Sequence, residues 1–312
     1  MITGSIMEND FVVEVKDLKK TYGDTIAVDG ISFNIKKGEI FGLLGPNGAG
    51  KTTTLECIEG LRKPDGGSFS LMGLNPGHDH INMHNMIGVQ LQVSGLPGTM
   101  RVNEAINFFC AYHGVAPRND LLERLGLVEK INTQYQFLST GQQRRLALAL
   151  ALAHEPPILI LDEPTAGLDV GSRVELHKIM EELKSSGTTI LLATHDMAEA
   201  EKMSDHLAIL LNGKIVKIGT PKEITSTGSG FTRISVKVKG PIFNKKEAEF
   251  PGVVKTLKKV EYKVYFSSDP GATVSAIIKY ISDQNDELID LRVERPSLEE
   301  RFLEITRKEG KR

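Results

Sequence analysis

Tryptophan is absent from this chain, cysteine occurs only at Cys57 and Cys110, and aromatic residues make up 6% of the sequence. Two cysteines cannot build a disulfide framework, and they suit a reducing compartment. Long apolar runs are missing too. A membrane-spanning helix needs roughly 18–20 residues, and the best stretches, Leu146–Ala153 and Ile158–Leu161, fall far short. The opening residues carry Glu8 and Asp10 where a secretory leader would be basic and then apolar. Nor is there an excess of one charge: the net value is −2 at pH 7, so no electrostatic footprint for nucleic acid is expected. What is present, 312 residues with 40% hydrophobic and 25% charged, is ordinary globular composition with room for one large and one smaller domain. The expectation is a cytoplasmic protein that meets a membrane only through a partner. Residues 1–10 are read as an N-terminal tail, and the six before Met7 as a leftover of expression.

Apolar strands alternate with amphipathic helices, which argues for an α/β class. Strands are expected at Phe11–Val15, Ile31–Ile35, Glu39–Leu44, Ser68–Leu71, Ile87–Leu91, Ile158–Leu161, Thr189–Ala193 and Leu207–Leu210. Helices are expected from about Gly50 to Gly60, over Ser172–Lys184 and near Met197–Met203. Val102, Ile106 and Phe109, then Leu121, Leu122, Leu125 and Val128, recur at helical spacing, so Val102–Ala153 reads as almost wholly helical. Asn212-Gly213 between two apolar runs is a type I′ hairpin signal. Ser226–Gly230 reads as a linker. Beyond it, strands at Thr232–Val238, Glu261–Phe266 and Leu288–Val293, with helices at Val274–Ile281 and Ser297–Thr306, make a small α+β unit without recognisable chemistry.

The strand Glu39–Leu44 runs into Gly45-Pro46-Asn47-Gly48-Ala49-Gly50-Lys51-Thr52, followed by Thr53. This is a phosphate-binding loop, with a strand before it and a helix after it. Glycines let successive N–H groups turn inward to phosphate oxygens. Lys51 brings positive charge to the outer phosphates, Thr52 offers a hydroxyl to Mg²⁺, and the helix N-terminus adds its dipole. Ile158–Leu161 is a buried strand ending in two carboxylates, of which Asp162 is placed to hold Mg²⁺ and Glu163 to polarise an attacking water.

Upstream, Leu138-Ser139-Thr140-Gly141-Gln142 opens a helix rich in alanine and leucine. Alone it would read as a serine N-cap. With the two motifs above, the chain resembles the nucleotide-binding domain of ABC transporters, and this segment resembles the family's LSGGQ signature, with Thr140 where glycine is usual. Other residues fit in order. Tyr22 resembles the aromatic that stacks on adenine. Gln92 resembles the glutamine that touches Mg²⁺ and the attacking water, with Gln90 a competitor. Asp169, in Ala166–Asp169, resembles the loop that senses the opposite subunit. His195 resembles the switch histidine at the γ-phosphate.

The resemblance spans about Phe11 to Glu223. It implies a P-loop NTPase core with an antiparallel β subdomain and a helical subdomain (about 93–155), all within 11–225. A linker (226–231) and a small C-terminal α+β domain (232–312) follow. It implies ATP and Mg²⁺, with Glu163, His195 and Gln92 catalytic. Nucleotide would contact Tyr22, the loop Gly45–Thr53, and the Ser139, Gly141, Gln142 and Asp169 of an opposite subunit; Thr52, Gln92 and Asp162 would serve the metal. The implied working unit is a homodimer, or a heterodimer with a similar ATPase. It would lie on the inner membrane face beneath integral membrane subunits supplied by a separate chain, and no nucleic-acid partner is expected. Glu294–Leu303 resembles the ending of bacterial drug and polysaccharide exporter ATPases, which favours export; it also spells a helix-capping box. An importer ATPase and a non-transport ABC ATPase acting on nucleic acid or ribosomes are the alternatives. His78, His80 and His84 read as a solvated loop in preference to a metal site.

Overall fold

The runs Ile40–Leu44, Ile158–Asp162 and Thr189–Thr194 are buried along their whole length, as strands covered on both faces must be. They form the middle of the central sheet. The computed structural model describes residues 11–75, 83–91, 95–226, 231–240, 242, 248–258, 261–295 and 297–309. These fall into two compact units divided after Pro221.

The first unit begins with β1 (Phe11–Tyr22), β2 (Thr25–Lys36), β3 (Ile40–Leu44), α1 (Lys51–Ile58), β4 (Gly66–Leu71) and β5 (Ile87–Gln90). The helical segment follows as α2 (Val102–Tyr112), α3 (Asn119–Arg124) and α4 (Thr140–Ala151). Then come β6 (Ile158–Asp162), α5 (Val170–Ser185), β7 (Thr189–Thr194), α6 (Met197–Met203), β8 (His206–Leu211) and β9 (Lys214–Gly219). Strands β2-β1-β4 make an antiparallel sheet. The central sheet has the order β5-β6-β7-β3-β8-β9, parallel except for β9. One core joins both sheets through Val13, Phe33, Phe41, Leu55 and Leu191; a second packs the helices against Leu159, Leu161 and Leu192. Because β6, β7 and β3 are neighbours and parallel, the loops leaving their C-terminal ends meet in one place, where ligands of such sheets bind.

Several expectations need correction. The first two strands are far longer than their apolar cores, because β1 and β2 form a hairpin through Gly23 whose register shifts repeatedly, once next to Asp17 at φ 48°. Such irregularities break the period-two pattern that marks a strand. The segment Val102–Ala153 is interrupted: α2 ends before Gly114 and Pro117, Gly126 ends α3, and only short 3₁₀ turns lead to α4. Val128 is 52% exposed, outside the core its spacing suggested. The hairpin at Asn212-Gly213 forms with both residues at positive φ, as a type I′ turn requires.

In the second unit, β10 (Thr232–Val238), β11 (Val253–Lys258), β12 (Lys263–Ser267) and β13 (Leu288–Glu294) make an antiparallel sheet of order β11-β12-β10-β13. After α7 (Pro221–Ser226), its helices are α8 (Pro270–Asp283) and α9 (Leu298–Glu309). Ile234, Val236, Phe250, Tyr265, Ile277 and Ile281 form its core. Strand β11 was not expected, since its alternation is weak and none of its residues is buried. Ser297 and Glu300 close the capping box that their spacing suggested.

Candidate functional site

Strand β3 delivers the chain into a turn where two glycines have no substitute. A Cβ on Gly45 would stand 2.4 Å from the Leu210 carbonyl oxygen, and one on Gly50 2.3 Å from that of Ala27. Gly50 also holds φ 103°, a region that L side chains avoid. Only glycine lets the loop fold back over the edge of the sheet and aim α1 at its mouth. Lys51 opens α1, is 6% exposed, and donates from Nζ to the carbonyl oxygens of Gly45 at 2.7 Å and Pro46 at 3.3 Å.

Two carboxylates arrive from β6. Thr52 Oγ1 donates to Asp162 Oδ2 at 2.9 Å, while Asp162 Oδ1 is buried without a partner. Burial raises the Asp162 carboxyl above its ordinary range, against the lowering effect of the Thr52 hydrogen bond. Glu163 sits at φ 51° with its backbone N–H donating to Ala193 O of β7 at 2.9 Å, which turns its side chain toward the loop. Lys51 Nζ lies 3.3 Å from Glu163 Oε1, an ion contact without hydrogen-bond alignment. His195, carried just past β7, brings Nδ1 within 2.8 Å of Glu163 Oε2. A carboxylate only accepts, so Nδ1 carries the hydrogen and Nε2 is left as the acceptor in the neutral ring. The His195 side chain is 53% exposed, so its far edge is available to a ligand.

Lys51 and Glu163 line a cavity of about 420 Å³ together with Pro46, Asn47, Gly48, Gly50, Thr52 and Thr53. Tyr22, 40% exposed at the end of β1, lines it too. The Tyr22 ring is held by cations: Arg62 stands 5.4 Å and Lys20 5.6 Å from its centre. Thr25, Ile26 and Ala27 join the lining without any motif to announce them; their only signal is that they follow the Gly23 turn. Gln92 lies outside the described residues, as do His78 and His80. Gln90 ends β5 in register with Leu161 and is buried, and it does not line this cavity.

The signature segment stands apart. Ser139 caps α4: its Oγ accepts from Gln142 N at 3.2 Å, and Gln142 Oε1 accepts from Ser139 N at 3.0 Å. Gly141 is buried so close to α5 that a Cβ would come within 2.8 Å of Ser172 Oγ. Asp169 caps α5, accepting from Ser172 N at 3.0 Å and Ser172 Oγ at 2.7 Å, and these bonds hold its carboxyl below the usual range. None of Ser139, Gly141, Gln142 and Asp169 lines the cavity around the phosphate loop.

A strand, a glycine-bound loop closing on a lysine, and a neighbouring strand ending in two carboxylates define a phosphate-loop nucleotide-binding protein. The family model for ABC transporters matches residues 28–166. The chain is 33% identical over 307 residues to the linearmycin resistance ATP-binding protein LnrL of Bacillus subtilis (strain 168), covering 95% of this chain and 98% of that one. It is 39% identical over 232 residues to the Nod factor export ATP-binding protein I of Ralstonia nicotianae, covering 72% of each. Among solved structures, the ATP-binding subunit of an ABC transporter superposes with TM-score 0.64 at 30% identity, over 68% of this chain and 91% of that one. A dimeric ATP-binding cassette in a post-hydrolysis state with ADP and Pi matches with TM-score 0.62 at 27% identity, over 67% and 98%. The chain belongs to the ABC transporter family, as an ATP-binding protein that hydrolyses ATP. Among the described residues no helix is long and apolar enough to cross a membrane.

Proposed function

We propose that this chain is the ATP-hydrolysing subunit of an exporter, acting as a dimer on the inner membrane face beneath membrane subunits supplied by separate chains. The observation that carries the reading is the Lys51–Glu163–His195 constellation at the phosphate-loop cavity, with the signature segment outside it. ATP would lie with its base on Tyr22 and its phosphates over the loop N–H groups and Lys51. Glu163 would take a proton from the attacking water, and His195, hydrogen-bonded to Glu163, would face the γ-phosphate with its exposed edge.

Mg²⁺ fits the residues present: Asp162 Oδ1 is a buried acceptor without a partner, and the Thr52 hydroxyl stands beside the same carboxylate. We assign Thr52, Asp162 and Gln92 to it. When bound, it neutralises charge on the phosphate oxygens.

Ser139, Gly141, Gln142 and Asp169 are assigned to the nucleotide held by the opposite subunit, because they neither line the cavity of their own chain nor bond to Lys51, Thr52 or Glu163, as Asp162 and His195 do. Two chains would then complete two sites, closing on ATP and opening after hydrolysis. Export is favoured by the likeness to a Nod factor export protein and a linearmycin resistance protein. In domain terms, residues 11–225 would do this work and 232–312 would support it.

Light scattering and ATPase assays on wild type and Glu163→Gln test the reading. Wild type should hydrolyse ATP, and the variant should bind ATP, stop turning over and accumulate as a dimer. Normal steady-state turnover by the variant would remove Glu163 from its assigned role.

A further inference from the structure

The turn that follows α1 comes back to the end of β1, where Tyr22 stands. Asp65 does most of the fastening. Its backbone N–H donates to Lys19 O at 2.8 Å, and its Oδ2 accepts from Thr21 N at 2.7 Å. Lys20 Nζ donates to Lys63 O at 2.9 Å and to Asp65 Oδ1 at 3.0 Å. The strand is thus tied to this turn at Lys19, Lys20 and Thr21, up to the residue before Tyr22. Backbone so held gives the Tyr22 side chain a fixed root.

Arg62 acts on the ring itself. Its Nε donates to Glu56 Oε2, its Nη2 to Glu56 Oε1 at 3.4 Å, and its backbone N–H to Glu56 O at 3.0 Å. Glu56 belongs to α1, the helix that Lys51 opens. From this anchor the guanidinium reaches over the Tyr22 ring, 5.4 Å from its centre. A planar guanidinium suits an aromatic face, where the ring quadrupole attracts the charge. Tyr22 lines the phosphate-loop cavity and neither Arg62 nor Lys20 does, so the cations stand away from the side that the ring offers to the cavity. Lys20 shares a strand with Tyr22 and travels with it. Arg62 comes from beyond α1, and can set the ring relative to the phosphate loop.

We infer that Arg62, anchored by Glu56, is a positioning residue for nucleotide selection: it backs the Tyr22 ring and presents the opposite face to the base. The inference rests on the reading of Tyr22 as the base platform and adds what holds that platform in place. One helix then fixes both ends of the ligand. Lys51 at its start meets the phosphates, and Glu56 on the same helix, through Arg62, fixes the ring that meets the base. A Tyr22 side chain 40% exposed at a strand end would otherwise be ordered only when nucleotide arrives. Ordering it beforehand removes that cost from binding. The gain applies to ligands that carry a base, and gives a bare polyphosphate nothing.

The test titrates the full chain with ADP, which carries the base, and with inorganic pyrophosphate, which does not. Arg62→Met should weaken ADP binding about two- to fivefold and leave pyrophosphate binding at the wild-type value. Tyr22→Ala should weaken ADP binding more than about fivefold, again without effect on pyrophosphate. Adding Arg62→Met to Tyr22→Ala should then change nothing further, because the residue it acts through is gone. Unchanged ADP affinity in Arg62→Met overturns the inference. Equal weakening of ADP and pyrophosphate overturns it as well, since Arg62 would then act on the phosphate site or on the fold around α1. An Arg62→Met effect that persists in the Tyr22→Ala background also overturns it, by showing that Arg62 meets the nucleotide directly. The platform reading has its own outcome: if Tyr22→Ala leaves ADP affinity at the wild-type value, Tyr22 is not the platform and the inference falls with it. A Tyr22→Ala loss without an Arg62→Met loss keeps the platform and removes only the role of Arg62.

Discussion

The phosphate-loop cavity and the signature segment belong to the same unit, yet their polar groups are handled in opposite ways. At and beside the cavity, polar groups point at one another: buried Lys51 and Glu163 meet, the half-exposed His195 hydrogen-bonds to Glu163, and Asp162 keeps one oxygen unpaired. At the signature segment, Ser139 and Gln142 satisfy each other in a capping box, and Asp169 is satisfied by Ser172. The first region is poised for a ligand. The second has been made rigid, with the N-terminus of α4 presented and Gly141 clamped against α5. A catalytic constellation inside one chain, joined to a preorganised surface outside it, is what a site shared between two chains requires.

Substitutions can break that contrast, and the largest effect belongs to the cavity. Lys51→Ala should reduce ATP turnover by at least about 100-fold, because the phosphate charge loses its buried cation; steady-state assays at saturating ATP check this. Tyr22→Ala should weaken nucleotide binding by roughly 1–3 kcal/mol, read by titration with a fluorescent ATP analogue, with the folded stability nearly unchanged. Ser139→Ala should do the reverse. Losing the cap should cost about 1 kcal/mol in denaturant melts, while nucleotide affinity of the monomer stays at the wild-type value. Thr140→Gly should be the mildest change, within about threefold in turnover, because Thr140 is exposed and the N–H groups of α4 remain.

The residues show why some of this was legible from sequence and some was not. The phosphate loop was readable because each residue type has a physical job that few others can do; Gly45 and Gly50 face backbone oxygens where a Cβ has no room. Strands β6 and β7 were readable because burial on both faces forces an unbroken apolar run. The β1–β2 hairpin was seen only at its ends, since repeated register shifts erase alternation in the middle. The broken helical segment looked continuous because Leu121, Leu122 and Leu125 are buried and helically spaced while the intervening turns carry few apolar cues. Ile26 and Ala27 reach the site through that hairpin, and Glu59 and Gln90, distant in sequence, line one cavity. Such residues have no local pattern, so only tertiary structure brings them forward.

Mixing two inactive variants tests most directly whether each chain holds two incomplete halves. Lys51→Ala keeps its signature segment and Ser139→Arg keeps its phosphate loop, so each alone should be inactive as a homodimer. In a mixed dimer one site would combine the intact phosphate loop of one chain with the intact signature of the other. An equimolar mixture should therefore recover ATP turnover to about a quarter of wild type, from random pairing with one competent site per mixed dimer. If mixed dimers form and turnover stays at the level of the separate variants, or if Ser139→Arg is fully active alone, the site is not shared between chains and the account is contradicted.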